Sequence, residues 1–96
     1  MYLTDVEEGD GHHEIYPGSH RQFPPELRAI KRYEPEQLDV HWNRLKVIGP
    51  AGTCFAENTL AFHRGTTPVR NSRLALTAVY YDDSVLGIHP GMHKLG

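Results

Sequence analysis

The chain has little of what a disulfide framework, a cysteine-based zinc centre, a membrane span or a nucleic-acid grip requires. Its 96 residues include one cysteine, Cys54. No intrachain disulfide and no cysteine zinc site can form from one thiol, and a reducing, cytoplasmic setting is the expectation. No apolar run approaches the roughly 20 residues that cross a bilayer. The start, Met1-Tyr-Leu-Thr-Asp-Val-Glu-Glu, has none of the basic-then-apolar pattern of a signal peptide. A net charge of −2 gives no general attraction to nucleic acid or to an anionic membrane. Arg21, Arg28, Lys31 and Arg32 form a loose basic stretch, but Glu26, Glu34 and Glu36 surround it. It reads as a solvated surface rather than a phosphate-binding face. Apolar residues make up only 39% of a chain long enough for one small domain. The core is therefore thin, and help from a partner, a metal or self-association is expected.

What is present is an unusual number of histidines, seven, on a chain rich in turn signals. Tyr2 to Val6 is a short β-prone run. Glu7 to Gly11 is an acidic, glycine-rich turn, and Glu14 to Tyr16 is β-prone again before Pro17-Gly-Ser. The first 20 residues thus predict two strands joined by a tight loop. Pro24-Pro25 and Glu34-Pro35-Glu36 each fit a helix start, where the missing proline N–H is not needed. Leu27 with Ile30, and Leu38 with Trp42, then share helical faces. Two short helical turns are expected in an insertion at about 24–42, although Leu38, Val40 and Trp42 also fit the period of a strand. Leu45 to Ile48 and Thr53 to Glu57 read as strands around the turn Gly49-Pro-Ala-Gly52, in which Gly52 can take positive φ. Leu60-Ala-Phe62 leads into His63, and a polar loop runs to Ser72. Leu74 to Tyr81 is the strongest strand signal, rich in β-branched and aromatic residues. Residues 82–96 lack periodicity and read as a flexible tail. About six short strands with one helical insertion predict a mainly β fold, an antiparallel sandwich or jelly roll over residues 1–81.

Two blocks carry a family resemblance. The first runs from Tyr2 to Arg21 as strand, acidic glycine-rich turn, strand, then Pro17-Gly-Ser-His20. The second runs from Gly49 to Tyr81, with His63 beside an apolar run and Arg73 ten residues later at the start of a strand. In order and separation they resemble the phytanoyl-CoA dioxygenase-like family of iron(II)/2-oxoglutarate-dependent dioxygenases. The resemblance implies the C-terminal half of a double-stranded β-helix, a jelly roll of cupin-like form. It implies His63 as a metal ligand and Arg73 as the group that holds a carboxylate of 2-oxoglutarate. Iron(II) and 2-oxoglutarate are then the cofactor and co-substrate, and intact relatives hydroxylate a small organic substrate. The family's first two ligands, a His-x-Asp pair, lie before the strand matching Tyr2 to Val6. Residues 1–96 contain nothing at that place, so the expectation is a truncated oxidoreductase fragment, inactive alone.

Several residues carry competing readings. His12 and Glu14 form a His-x-Glu pair whose side chains share a strand face. With His63 they would make an internal triad, against the plainer reading that His12 and His13 flank a solvent-exposed turn. Arg70 competes with Arg73 as the carboxylate anchor. Arg73 is preferred because a strand holds an anchor better than a loop does. His20 orders its turn or lines a cleft. His89 and His93 are spaced His-x3-His, but Pro90 and Gly91 between them oppose a helix. Cys54 reads as a buried inert thiol, and Trp42 as a packing anchor. The alternative to an enzyme fragment is a non-catalytic β-domain that associates through exposed strand edges, as a homo-oligomer or with a separate N-terminal segment. A small histidine-rich metal binder is a third reading.

Overall fold

A computed structural model describes residues 1–27 and 32–80. The tail expected over 82–96, with His89 and His93, lies outside the described residues.

Strand β1 is His13–Ile15, β2 is Leu45–Val47 and β3 is His63–Gly65. They form a three-stranded antiparallel sheet in the order β2-β1-β3. Each strand is short because turn residues bound it: Gly11 and Pro17 around β1, Gly49-Pro50 after β2, and Gly65 to Pro68 at the end of β3. Proline lacks the N–H that a ladder needs, which ends pairing on that side. His13 lies opposite Val47 and Gly65, Glu14 opposite Lys46 and Arg64, and Ile15 opposite Leu45 and His63. Directly paired residues project to the same side of a sheet. One face therefore carries His13, Ile15, Val47 and His63, and the other carries Glu14, Lys46 and Arg64.

The first six residues do not fold back on β1 as the expected hairpin. Tyr2 bridges Ala75, and Val6 bridges Gly49. The Tyr2 and Leu3 N–H groups donate to Thr53 and Leu74 carbonyls at 2.9 and 2.8 Å, so this segment runs between 52–53 and 74–76. Gly52 has φ 92°, the conformation expected of it in the turn that makes this pairing possible. The Tyr2 phenol is fully buried. It donates to the Val47 carbonyl at 2.7 Å and accepts the His13 N–H at 3.1 Å, tying the first segment to the sheet.

The insertion supplies the main core. A 3-10 turn, Pro25–Leu27, and helix α1, Pro35–Asp39, each contribute one buried leucine. Leu27, Leu38 and Tyr16 pack together, with Tyr33, Trp42 and Phe62 against them. Pro35 sits in the first turn of α1, and the Glu34 N–H donates to Gln37 Oε1 at 2.8 Å, closing the helix start.

The expected jelly roll is not formed. Among the described residues the structure is one open sheet of three strands with little helix. Of the expected strands, Thr53 to Glu57 and the described part of the last one, Leu74 to Tyr80, form no ladder apart from the single bridge at Ala75. High β propensity measures how well a residue fits a pleated, half-buried surface, and these residues lack one. Leu74, Leu76, Val79 and Tyr80 are all more than half exposed, at 60%, 61%, 57% and 81%.

Candidate functional site

The Pro17-Gly-Ser-His20 block positions β3 rather than supplying a donor. Ser19 is buried, and its Oγ accepts the Phe62 N–H at 2.8 Å. The Tyr16 N–H donates to the Phe62 carbonyl at 2.9 Å. Phe62 also packs into the aromatic core. The residue immediately before His63 is thus held by two backbone contacts and by packing. His20 itself is exposed.

His63 opens β3 and is exposed, with its ring 5.8 Å from that of His13. Its Nδ1 lies 2.8 Å from the Ala61 carbonyl oxygen. A carbonyl only accepts, so Nδ1 carries a proton, and in the neutral imidazole Nε2 is then the nitrogen with the lone pair. That is the tautomer in which an imidazole can ligate a metal through Nε2.

Arg73 reaches the same face. Its Nη2 lies 2.9 Å from where a Cβ on Gly65 would stand, so the guanidinium rests directly over that glycine. Gly65 follows His63 by two residues and shares its face. The guanidinium carbon also lies 5.8 Å from the centre of the Tyr2 ring, in reach of a cation–π contact. Among the described residues no carboxylate pairs with Arg73. Arg70 is placed otherwise: its Nη1 is 3.1 Å from Glu7 Oε2, and its Nε is 3.8 Å from Asp10 Oδ1. Asp10 is buried and ties the first turn to the loop before Arg73. It accepts the Glu7 and Asn71 N–H groups at 3.0 and 3.2 Å. These bonds, the one from Glu7 first, hold its carboxyl below the usual aspartate range against the opposing effect of burial.

The internal triad is not assembled. His12 Nε2 and Glu14 Oε1 do share a face, 3.1 Å apart. That face is the one opposite His63, and Arg44 and Arg64 already occupy it, at 3.3 and 3.4 Å from Glu14. Burial raises the Glu14 pKa, but Arg64, His12 and Arg44 outweigh it and leave the carboxyl below the ordinary glutamate value. The plainer reading of the two histidines also fails, because His12 is buried and His13 nearly so. Cys54 is exposed rather than buried.

Sequence reasoning missed His13 and Glu57. Their side chains meet at 2.7 Å, Nε2 to Oε2, and the His13 ring lies 5.8 Å from that of His63. The parity of β1 carries the signal for His13, since it alternates with His12 and must face the other side. Nothing local marks Glu57. For the metal that the resemblance implies, the fit is partial: His63 has the right tautomer, but no three His, Cys, Asp or Glu side chains converge among the described residues. No helix of the described residues is long and apolar enough to cross a membrane. Comparison with family models, curated proteins and solved structures finds no match to this chain.

Proposed function

We propose that the chain carries the distal part of an iron(II)/2-oxoglutarate-dependent dioxygenase site of the phytanoyl-CoA dioxygenase-like type. The observation that supports this reading is the placement of His63 and Arg73 on one face of the sheet, with Gly65 making room for the guanidinium. In this reading His63 offers Nε2 to the metal. Arg73 grips one carboxylate of the co-substrate with its planar fork, a bidentate pairing that its lack of a carboxylate partner among the described residues leaves available. Bound iron would supply oxygen activation for hydroxylation of a small organic substrate. The chain's own part is to hold one donor and to orient the co-substrate. The free, exposed thiol of Cys54 suits a reducing, cytoplasmic setting.

Calorimetric titration of 2-oxoglutarate into the protein with manganese(II) present tests the reading. Binding is expected, weakened strongly by Arg73→Ala and little by Arg70→Ala. Absence of binding, or a larger effect at Arg70, sinks it.

A second reading, a non-catalytic β-domain that self-associates, is favoured by a different observation. The apolar side chains of Leu74, Leu76, Val79 and Tyr80 stand exposed on one extended segment.

A further inference from the structure

The segment Leu74-Ala-Leu-Thr-Ala-Val-Tyr80 carries no charge and runs without a turn or bend. One of its edges is already paired. The Leu3 N–H donates to the Leu74 carbonyl at 2.8 Å, and the Leu76 N–H donates to the Met1 carbonyl at 2.9 Å. Backbone groups of successive strand residues point to opposite edges. Leu74 and Leu76 face Leu3 and Met1, so Ala75, Thr77 and Val79 turn their N–H and carbonyl groups the other way. Among the described residues none of those groups has a hydrogen-bond partner. We propose that this open edge pairs with the same segment of a second copy of the chain, antiparallel about a two-fold axis at Thr77, to give a closed dimer.

The segment is self-complementary in that register. Ala75 exchanges both backbone bonds with Val79 of the second copy, and Thr77 does so with its own counterpart. On the other pairs, Leu76 stands opposite Ala78 and Leu74 opposite Tyr80, so large side chains do not all collide. Thr77 meets Thr77, a favourable cross-strand pair. Leu74, Leu76, Ala78 and Tyr80 of both copies share one face, and the apolar side chains that are exposed in one chain cover one another. The outer edges of the sheet do not offer this. Pairing β2 with itself about its middle residue sets Lys46 against Lys46, and the same operation on β3 sets Arg64 against Arg64. Like charges directly opposite are destabilising. Pairing β2 of one copy with β3 of the next sets Lys46 against Arg64, and such a head-to-tail contact does not close at two copies. The uncharged edge at 74–80 is the one that a second copy fits without repulsion.

The inference rests on the self-associating reading and adds the surface and the register, so the two can fail separately. The experiment is size-exclusion chromatography with light scattering on the full chain and on three variants, Thr77→Lys, Thr77→Glu and Thr77→Pro. Thr77 is exposed, so none of them removes packing within one chain. The wild type is expected to form a dimer. Thr77→Lys and Thr77→Glu each place like charges on the axis and should raise the dimer dissociation constant about fivefold. An equimolar mixture of those two variants sets opposite charges face to face and should restore the wild-type affinity to within about twofold. Thr77→Pro removes the N–H that each copy donates at the axis and should leave a monomer. A wild-type dimer that is unchanged in all three variants overturns this pairing and leaves self-association through another surface. A mixture no tighter than its separate components overturns the register at Thr77. Assembly beyond two copies overturns the closed dimer. A wild type that stays monomeric at millimolar concentration overturns both the pairing and the self-associating reading.

Discussion

Arg70 and Arg73 are three positions apart and differ in what their guanidinium groups face. Arg70 is half exposed and already paired with Glu7, so removing it costs little. Arg73 lies over Gly65 against the Tyr2 ring, with no carboxylate partner among the described residues. If it grips a co-substrate carboxylate, Arg73→Ala loses a charge-assisted pair. At a half-buried position this is worth about 2 kcal/mol, or roughly thirtyfold in affinity. Gly65→Ala gives a sharper version of the same prediction. The new methyl would meet Nη2 at 2.9 Å, and the far end of a flexible side chain moves easily. The fold should therefore survive, with an unchanged melting temperature, while 2-oxoglutarate affinity falls. Equal affinity in Gly65→Ala and wild type would show that the guanidinium position does not matter. Arg73 was legible in the sequence as the start of an extended run, but the role of Gly65 was not. Close approach across a strand depends on register, which no local pattern records.

Tyr16 makes a separate residue-scale prediction. Burial first, then its 2.7 Å hydrogen bond to Asp39 and that group's charge, raise its pKa from 10.0 to about 12. The folded state thus favours the neutral phenol more than the unfolded chain does. The resulting stability is fully present below pH 10 and is lost as pH rises towards 12. Ultraviolet phenolate titration should show one late-ionising tyrosine, absent in Tyr16→Phe. That variant should also lose about 1 kcal/mol at neutral pH through the missing hydrogen bond. If all tyrosines ionise together, the environment assigned to Tyr16 is wrong.

At the scale of elements, β1 explains both what could be read and what could not. Its position and its terminating Pro17-Gly-Ser turn follow from composition, and so do the two proline-led turns that place Leu27 and Leu38 in the core. The alternation rule placed His12 and Glu14 on one face, and they meet there. Which face looks toward His63 depends on the pairing of Ile15 with His63, a contact across 48 positions that only the fold supplies. Leu74 to Tyr80 failed for a related reason. Strand-forming residues make a strand only where a neighbouring chain offers its N–H and carbonyl groups, and here only Leu74 and Leu76, on either side of the Ala75 bridge, find such partners, at Leu3 and Met1. The Glu14 face yields an acid-stability prediction. The folded Glu14 carboxyl titrates below its ordinary value of 4.5. Its contribution is therefore present above that pH and is lost as pH falls through the lowered folded value. Melting temperature should drop with acid in the wild type, and Glu14→Gln should lie lower at neutral pH but fall less steeply. Parallel pH curves for the two proteins would remove Glu14 as a determinant.

For the whole molecule the balance between core and surface sets the expected behaviour. The described core rests on a few buried residues, chiefly Tyr2, Val6, Tyr16, Leu27 and Leu38. Leu45, Ile48, Leu60, Val69, Leu74, Leu76, Val79 and Tyr80 are each at least half exposed. Each large apolar side chain left in water forgoes about 1.5–3 kcal/mol that burial would supply. That is large against the 5–15 kcal/mol typical of a folded domain. The outer edges of β2 and β3 add backbone groups that can pair with another chain. Both features drive association, and a charge of −2 gives little repulsion to oppose it. Size-exclusion chromatography with light scattering should show concentration-dependent assembly, and the melting temperature should rise with protein concentration. Leu74→Lys with Leu76→Lys should shift the population toward monomer, because two charges on an exposed apolar segment disfavour its burial between chains. These positions are already exposed, so the substitutions remove little packing within one chain. A protein that stays monomeric across a hundredfold concentration range with a sharp, concentration-independent melt would show that these surfaces are tolerated in water and that no second copy covers them.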